Sequence, residues 1–174
     1  MSRIFVTGIG VISPIGNTVA ENRAALKEGR SGFSSIQLFS TKYSDLLPFG
    51  EIKIPDDVLK EKLRANTPGI TRTTLLAIHA VDEAMNDSGI SGDELQQYDT
   101  ALIIGNTVGG MCVTDELYRD ANQNHVGSSY LSSYDLGSVA IYIQKRYGIN
   151  GVVNTINTAC SSSATSSESI LSTV

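Results

Sequence analysis

Apolar positions recur along the chain in two rhythms, short continuous runs and longer helical stripes. Residues Arg3 to Val6 are a brief β-branched and aromatic run ended by Gly8, which predicts an opening strand. Gly8-Ile9-Gly10-Val11-Ile12-Ser13-Pro14-Ile15-Gly16 then predicts a tight glycine-bearing turn. Asn17 or Thr18 can cap a helix that runs through Glu28 and stops at Gly29. Residues 30–66 hold no steady period, with Phe33, Phe39 and Phe49 scattered among polar positions, and loops and short turns are expected there.

The strongest helical pattern runs from about Pro68 to Ser88. Thr67 serves as N-cap, Pro68 as the first helical residue and Gly89 as the left-handed stop. Leu75, Leu76, Ile78, Val81 and Met85 with three alanines make a wide apolar face. His79, Asp82, Glu83 and Asn86 share the opposite face by their i, i+3, i+4, i+7 spacing, so His79 is expected to be a solvated surface residue.

Thr100 to Gly105 is a continuous apolar run of the kind a strand covered on both faces shows. A second glycine turn follows, Gly105-Asn106-Thr107-Val108-Gly109-Gly110, then a helix from Thr114 to Ala121 and a polar loop with His125. Ser132 or Ser133 is expected to cap a further helix with Leu136, Val139, Ala140 and Ile143 on its apolar face, closing at Gly148. A third strand, Val152 to Thr158, leads straight into Cys160. Strands alternating with helices predict an α/β fold with a mixed, mainly parallel sheet.

Composition narrows the function classes. Of 174 residues, 41 % are hydrophobic and 18 % charged, which suits a buried core rather than disorder. The net charge of −5 and the lack of any basic run argue against nucleic acid as a partner. The longest apolar runs, such as Ala101 to Ile104, fall far short of the roughly 20 residues that span a bilayer. No apolar leader precedes the first strand, so a cytoplasmic protein is expected, without membrane association. The two cysteines, Cys112 and Cys160, lie far apart with no CxxC and no histidine at metal spacing. Neither a metal site nor a disulfide is expected from them.

Chemistry concentrates at Asn157-Thr158-Ala159-Cys160-Ser161-Ser162-Ser163. If a helix begins there, Cys160 lies at its N-terminus, where unpaired N–H groups and partial positive charge favour an anion. Such a place lowers a thiol pKa and raises its thiolate fraction. The same N–H groups can hold the oxyanion of a thioester under attack. The alternative is a small, buried, inert cysteine.

Four stretches together resemble one family. Thr158-Ala159-Cys160-Ser161-Ser162 after a β-branched strand is similar to the nucleophile signature of β-ketoacyl-acyl-carrier-protein synthases. The segment from Arg3 to Gly16 resembles that family's opening strand and turn, and Ile103 to Gly110 its acyl-pocket loop. Arg146-Tyr147-Gly148-Ile149-Asn150-Gly151 is similar to the turn before the nucleophile strand. The position of Cys160 in the chain fits the elongating type. Related chain-length factors usually carry glutamine there, and this chain keeps cysteine.

The resemblance implies the amino-terminal half of a thiolase-like fold, with incomplete αβαβα layers. It implies decarboxylative condensation of an acyl-cysteine at Cys160 with a malonyl unit, both delivered on the phosphopantetheine arm of acyl carrier protein. No cofactor of its own is implied. A homo- or heterodimer with another synthase subunit is implied as partner. Val108 would line the acyl cavity, with plain core packing as its alternative, and Cys112 has no motif behind it and is expected to be structural.

The chain also departs from the pattern. The family's malonyl step draws on two histidines and a lysine beyond the nucleophile, whereas His79 and His125 both precede Cys160. The single domain, residues 1–174, is expected to be truncated shortly after the nucleophile, since fourteen residues follow Cys160. A catalytically incomplete fragment, or a non-catalytic partner of a synthase heterodimer, is therefore the alternative reading. The serine-rich tail Ala164 to Val174 is expected to make a poor helix, although Ala164, Ile170, Leu171 and Val174 could form one stripe. A nucleotide site at Gly8-Ile9-Gly10 is disfavoured because Ser13 and Pro14 break the third-glycine pattern.

Overall fold

The computed structural model describes residues 3–123 and 127–172, so His125 and Val174 lie outside the described residues. The chain divides into two compact units interleaved in sequence. One holds residues 6–65 and 75–89, the other residues 3–5, 66–74 and the chain from Ile90 onward.

The first unit begins with the glycine turn. Helix α1, Val19–Glu28, follows as expected: Thr18 accepts the Glu21 N–H through its hydroxyl, and Gly29 (φ 64°) closes the helix in the left-handed region. A two-residue antiparallel pair comes next, β1 at Phe33–Ser34 with β2 at Phe49–Gly50. Helix α2, Asp56–Leu63, lies within the stretch expected to be loops. Its apolar positions are few, but Leu59 and Leu63, four residues apart, are both buried, and tertiary burial outweighs the weak local pattern. Helix α3, Arg72–Ser88, buries Leu75 and Ile78, and α1 buries Ala25.

His79 corrects the sequence reading. It is only 6 % exposed, and its Nε2 lies 2.7 Å from the Asn17 carbonyl. The reason is that the polar stripe of α3 is used as an anchor. Glu83 accepts the N–H groups of Val11 (2.9 Å) and Val19 (2.8 Å), and Asp87 accepts that of Ile9 (3.0 Å). The glycine turn thus lies flat on α3, so close that a Cβ on Gly10 would sit 1.8 Å from the Ala80 carbonyl oxygen. Irregular backbone satisfies its donors from acidic side chains rather than from a neighbouring strand. Accordingly the strand expected at Arg3 to Val6 is not formed, and Ile4, Phe5 and Val6 are exposed.

In the second unit the expected start at Pro68 gives way to a turn. Gly69 adopts φ 75°, and α3 begins only at Arg72, with the Thr71 hydroxyl accepting the Thr74 N–H at 3.3 Å. Gly69 approaches Ser129 too closely for any side chain, a contact the local pattern does not show. Helix α4, Gly92–Gln97, carries a Ser91/Glu94 capping box that sequence reasoning overlooked. Strand β3, Leu102–Gly105, pairs in parallel with β4, Val153–Ile156, in the register Leu102 to Val153 and Gly105 to Ile156. Between them come α5, Thr114–Gln123, and α6, Ser138–Tyr147, which Gly148 closes at φ 65°. Ser133 falls in a short 3₁₀ turn, Leu131–Ser133, instead of capping α6. After β4 a 3₁₀ turn at Ala159–Ser161 opens into α7, Ser162–Ser172. Both α6 and α7 pack against the β3–β4 pair, with Val139, Ala140, Ile143 and Ile149 as its buried apolar residues. The α/β class stands. Leu102, Ile103 and Ile104 are half-buried rather than covered on both faces, because the described sheet has two strands only.

Candidate active site around Cys160

The site is built where β4 hands over to α7. Ala159 takes φ 53°, the left-handed region that costs a non-glycine residue about 1–2 kcal/mol. Neighbouring side chains hold it there. The Asn157 Oδ1 accepts the Ala159 N–H at 3.2 Å, and the Ala159 carbonyl accepts hydroxyls of Thr107 (2.8 Å) and Ser162 (2.7 Å). Ser162 Oγ in turn accepts the Thr158 N–H at 3.1 Å, and Ser162 is buried.

Cys160 occupies the middle of this turn and is exposed. The Ser161 N–H donates to the Thr158 carbonyl at 3.3 Å and the Ser162 N–H to the Ala159 carbonyl. The Cys160 N–H has no protein acceptor among the described residues. An open thiol therefore stands beside an unpaired amide at the positive end of an eleven-residue helix. That arrangement can attack a carbonyl carbon and hold the oxyanion so formed.

The serine-rich tail forms α7 after all. Hydroxyls of Ser166, Ser167 and Ser169 donate to carbonyls one turn back, at 2.8, 3.0 and 2.9 Å. Back-bonding of this kind lets serine sit inside a helix despite its modest propensity.

The Val108 loop reaches the same place from β3. A Cβ on Gly105 would lie 2.6 Å from the Ser162 carbonyl oxygen, so strand end and helix start touch backbone to backbone. Asn106 pins the loop on its other side, donating to the Leu136 carbonyl (2.9 Å) and accepting the Gly109 N–H (3.0 Å). Gly109 adopts φ 59°, and a Cβ on Gly110 would fall 1.6 Å from the Ser133 carbonyl oxygen. Val108 itself is 51 % exposed among the described residues.

Cys112, expected to be structural, is exposed, and both cysteines are free thiols. His79 belongs to the other unit and is spent on a carbonyl. Among the described residues no group of three or more His, Cys, Asp or Glu side chains is placed to hold a metal ion. No helix among them is long and apolar enough to cross a membrane.

Thr107, Asn157 and Ser162 all lie within the motifs read from the sequence, but their roles in holding the turn were not read there. Asn157 carries a local signal, since an Asn that bonds the backbone two residues on is a common turn device. Thr107 carries none, because its partner lies 52 residues away.

The architecture has close relatives. The chain is 28 % identical over 172 residues to a mitochondrial 3-oxoacyl-acyl-carrier-protein synthase of Schizosaccharomyces pombe, covering 92 % of this chain and 40 % of that protein. It is 27 % identical over 169 residues to 3-oxoacyl-acyl-carrier-protein synthase 1 of Haemophilus influenzae, covering 94 % and 41 %. Among solved structures, the ishigamide ketosynthase/chain length factor superimposes with a TM-score of 0.77 at 26 % identity, over 96 % of this chain and 43 % of that one. The chain thus spans about two fifths of the length of these relatives. Residues 1–173 match the family described as Beta-ketoacyl synthase, N-terminal domain, and the chain belongs to that family.

Proposed function

We propose that Cys160 is the acyl-accepting nucleophile of a fatty acid or polyketide condensation. The observation that carries the reading is the exposed thiol beside its own unpaired amide, at a turn held by side chains on both flanks. The Cys160 thiolate attacks the thioester carbonyl of an acyl chain on acyl carrier protein, and the carrier thiol leaves. A malonyl unit on a second carrier then loses CO₂. Its carbanion attacks the acyl-cysteine, a carbon–carbon bond forms, and the Cys160 thiolate is released. Splitting the reaction at a covalent intermediate makes two tractable steps of one difficult one. The names of the curated relatives support acyl carrier protein as the donor. The ketosynthase/chain length factor likeness supports a second synthase subunit as partner. In this reading Val108 borders the acyl chain, the substrates bring the only phosphopantetheine needed, and the reaction runs in the cytoplasm, where thiols stay reduced.

A second reading rests on coverage, since the chain spans about two fifths of the length of the curated relatives it matches. The 174-residue polypeptide then loads an acyl group but depends on other residues for decarboxylation. Intact-mass analysis after incubation with an acyl-loaded carrier protein tests the first step. An acyl adduct that maps to Cys160 and disappears in Cys160→Ala is expected, and an adduct on Cys112, or none, would overturn the assignment. A steady-state condensation assay tests the second reading. No turnover is expected from the 174-residue chain alone, and turnover comparable to that of complete synthases would refute its incompleteness.

A further inference from the structure

The Val108 loop and the nucleophile turn are not merely adjacent. Thr107 joins them in both directions: its hydroxyl donates to the Ala159 carbonyl at 2.8 Å, and its own carbonyl accepts from Asn157 Nδ2 at 3.1 Å. The other end of the Asn157 amide holds the Ala159 N–H. The peptide groups on either side of the strained Ala159 are therefore fixed by one triangle of side chains, Thr107, Asn157 and Ser162. Each hydroxyl has a single hydrogen. If both donate to the Ala159 carbonyl, the 3.3 Å contact between Thr107 and Ser162 carries no hydrogen and serves as packing.

The consequence falls on Cys160. Its Cα follows directly from Ala159, so the φ and ψ of Ala159 aim both the thiol and the unpaired Cys160 amide. A left-handed alanine relaxes unless its surroundings over-determine it. Removing the Thr107 hydroxyl leaves the Ala159 carbonyl still bonded to Ser162, so the fold has no orphaned acceptor and only the aim is loosened. We propose that Thr107 is a positioning residue which, with Asn157, locks the Val108 loop to the nucleophile turn and sets the attitude of Cys160 for acyl transfer. The chemical part of this rests on the reading of Cys160 as acyl acceptor; the geometric part does not.

The test uses the whole chain as wild type, Thr107→Val, Thr107→Ser and Asn157→Asp. The last keeps the acceptor for Ala159 but loses the donor to Thr107. Iodoacetamide alkylation of Cys160 is followed by peptide mass spectrometry across the thiol titration range, with Cys112 in the same digest as internal reference. Acyl transfer from a loaded carrier protein and the thermal midpoint are measured in parallel. Thr107→Val is expected to slow acyl transfer about ten-fold and to shift the Cys160-to-Cys112 alkylation ratio about three-fold, with the midpoint little changed. Thr107→Ser is expected to restore both, and Asn157→Asp to follow valine in direction. An unchanged ratio and transfer rate in Thr107→Val overturn the proposal. So does an equal change at both cysteines with a lowered midpoint, since that is general loosening. If the wild type takes no acyl group while the alkylation ratio shifts as expected, the acyltransferase reading fails and the lock stands. If the wild type is acylated and the variants behave alike, the lock alone fails.

Discussion

Cys160 and His79 both sit near irregular backbone that meets a helix, and in both places polar side chains hold that backbone. Around Cys160 the anchors are neutral, Thr107, Asn157 and Ser162, and the titratable group is left outside with nothing to do. Around His79 the anchors are themselves titratable. Glu83, Asp87 and the histidine are consumed in holding the glycine turn. The lesson is that availability, not residue type, separates a reactive centre from a structural one. A histidine at 6 % exposure bonded to a carbonyl is unavailable as a catalyst, whereas an exposed cysteine with a free amide is available.

Four measurements can break or sharpen this contrast. The largest effect is expected at the glycine turn of the first unit. Gly10→Ala drives a Cβ into the Ala80 backbone and should cost about 3 kcal/mol in denaturant unfolding, since neither backbone can yield cheaply. A loss within experimental error would mean that the turn does not lie flat on α3. Next, His79→Leu removes the partner of the Asn17 carbonyl and should cost about 1.5 kcal/mol while leaving acylation of Cys160 intact. A solvated histidine would instead show almost no change, and loss of acylation would put His79 in the chemistry.

A smaller effect of opposite sign is expected at the nucleophile turn. Ala159→Gly relieves the left-handed strain but adds freedom to the unfolded chain, for a net gain of about 0.5 kcal/mol. Because the freed residue aims Cys160, acyl transfer should fall even as the thermal midpoint rises. A midpoint that drops would show that Ala159 is not strained.

The smallest effect is confined to acid. The Lys53 ammonium, 2.7 Å away, holds the Glu51 carboxyl below the usual carboxylate range; burial opposes this, and the N–H groups of Gln37 and Leu38 add to it. A depressed folded-state pKa means that the stabilisation is fully present above the ordinary glutamate value of about 4.3 and fades as pH falls through the lower folded value. Glu51→Gln should therefore be less stable than wild type near neutrality, with the gap closing in acid. A gap that stays constant with pH would remove the charge from the explanation.

Much of the architecture was legible before any coordinates. Helix α1 ends on Gly29 and α6 on Gly148, both left-handed, because a glycine after an apolar stripe is a local signal that tertiary structure rarely overrides. The strand leading into Cys160 was legible too, but the helix after it was not, since the serine-rich tail read as a poor helix former. What failed was non-local. Pro68 looks like a first helical residue, but Gly69 must turn where Ser129 crowds it. His79 looks solvated on a helical wheel, which cannot show that Asn17 comes back to meet it. The run at Arg3 to Val6 has strand composition but no described strand beside it, and composition alone does not supply a partner. Helix α2 was missed for the converse reason, its two buried leucines being too few to declare a period. Of the candidate site, the sequence displayed the cysteine but not the threonine that bonds the carbonyl of the residue before it.

The serines of α7 carry one more consequence. Each has a single hydrogen, and Ser167 and Ser169 give theirs inward to the preceding turn. What exposed Ser167 turns toward the surroundings is lone pairs alone. At that one exposed position, neighbouring water must point its own proton at the hydroxyl oxygen.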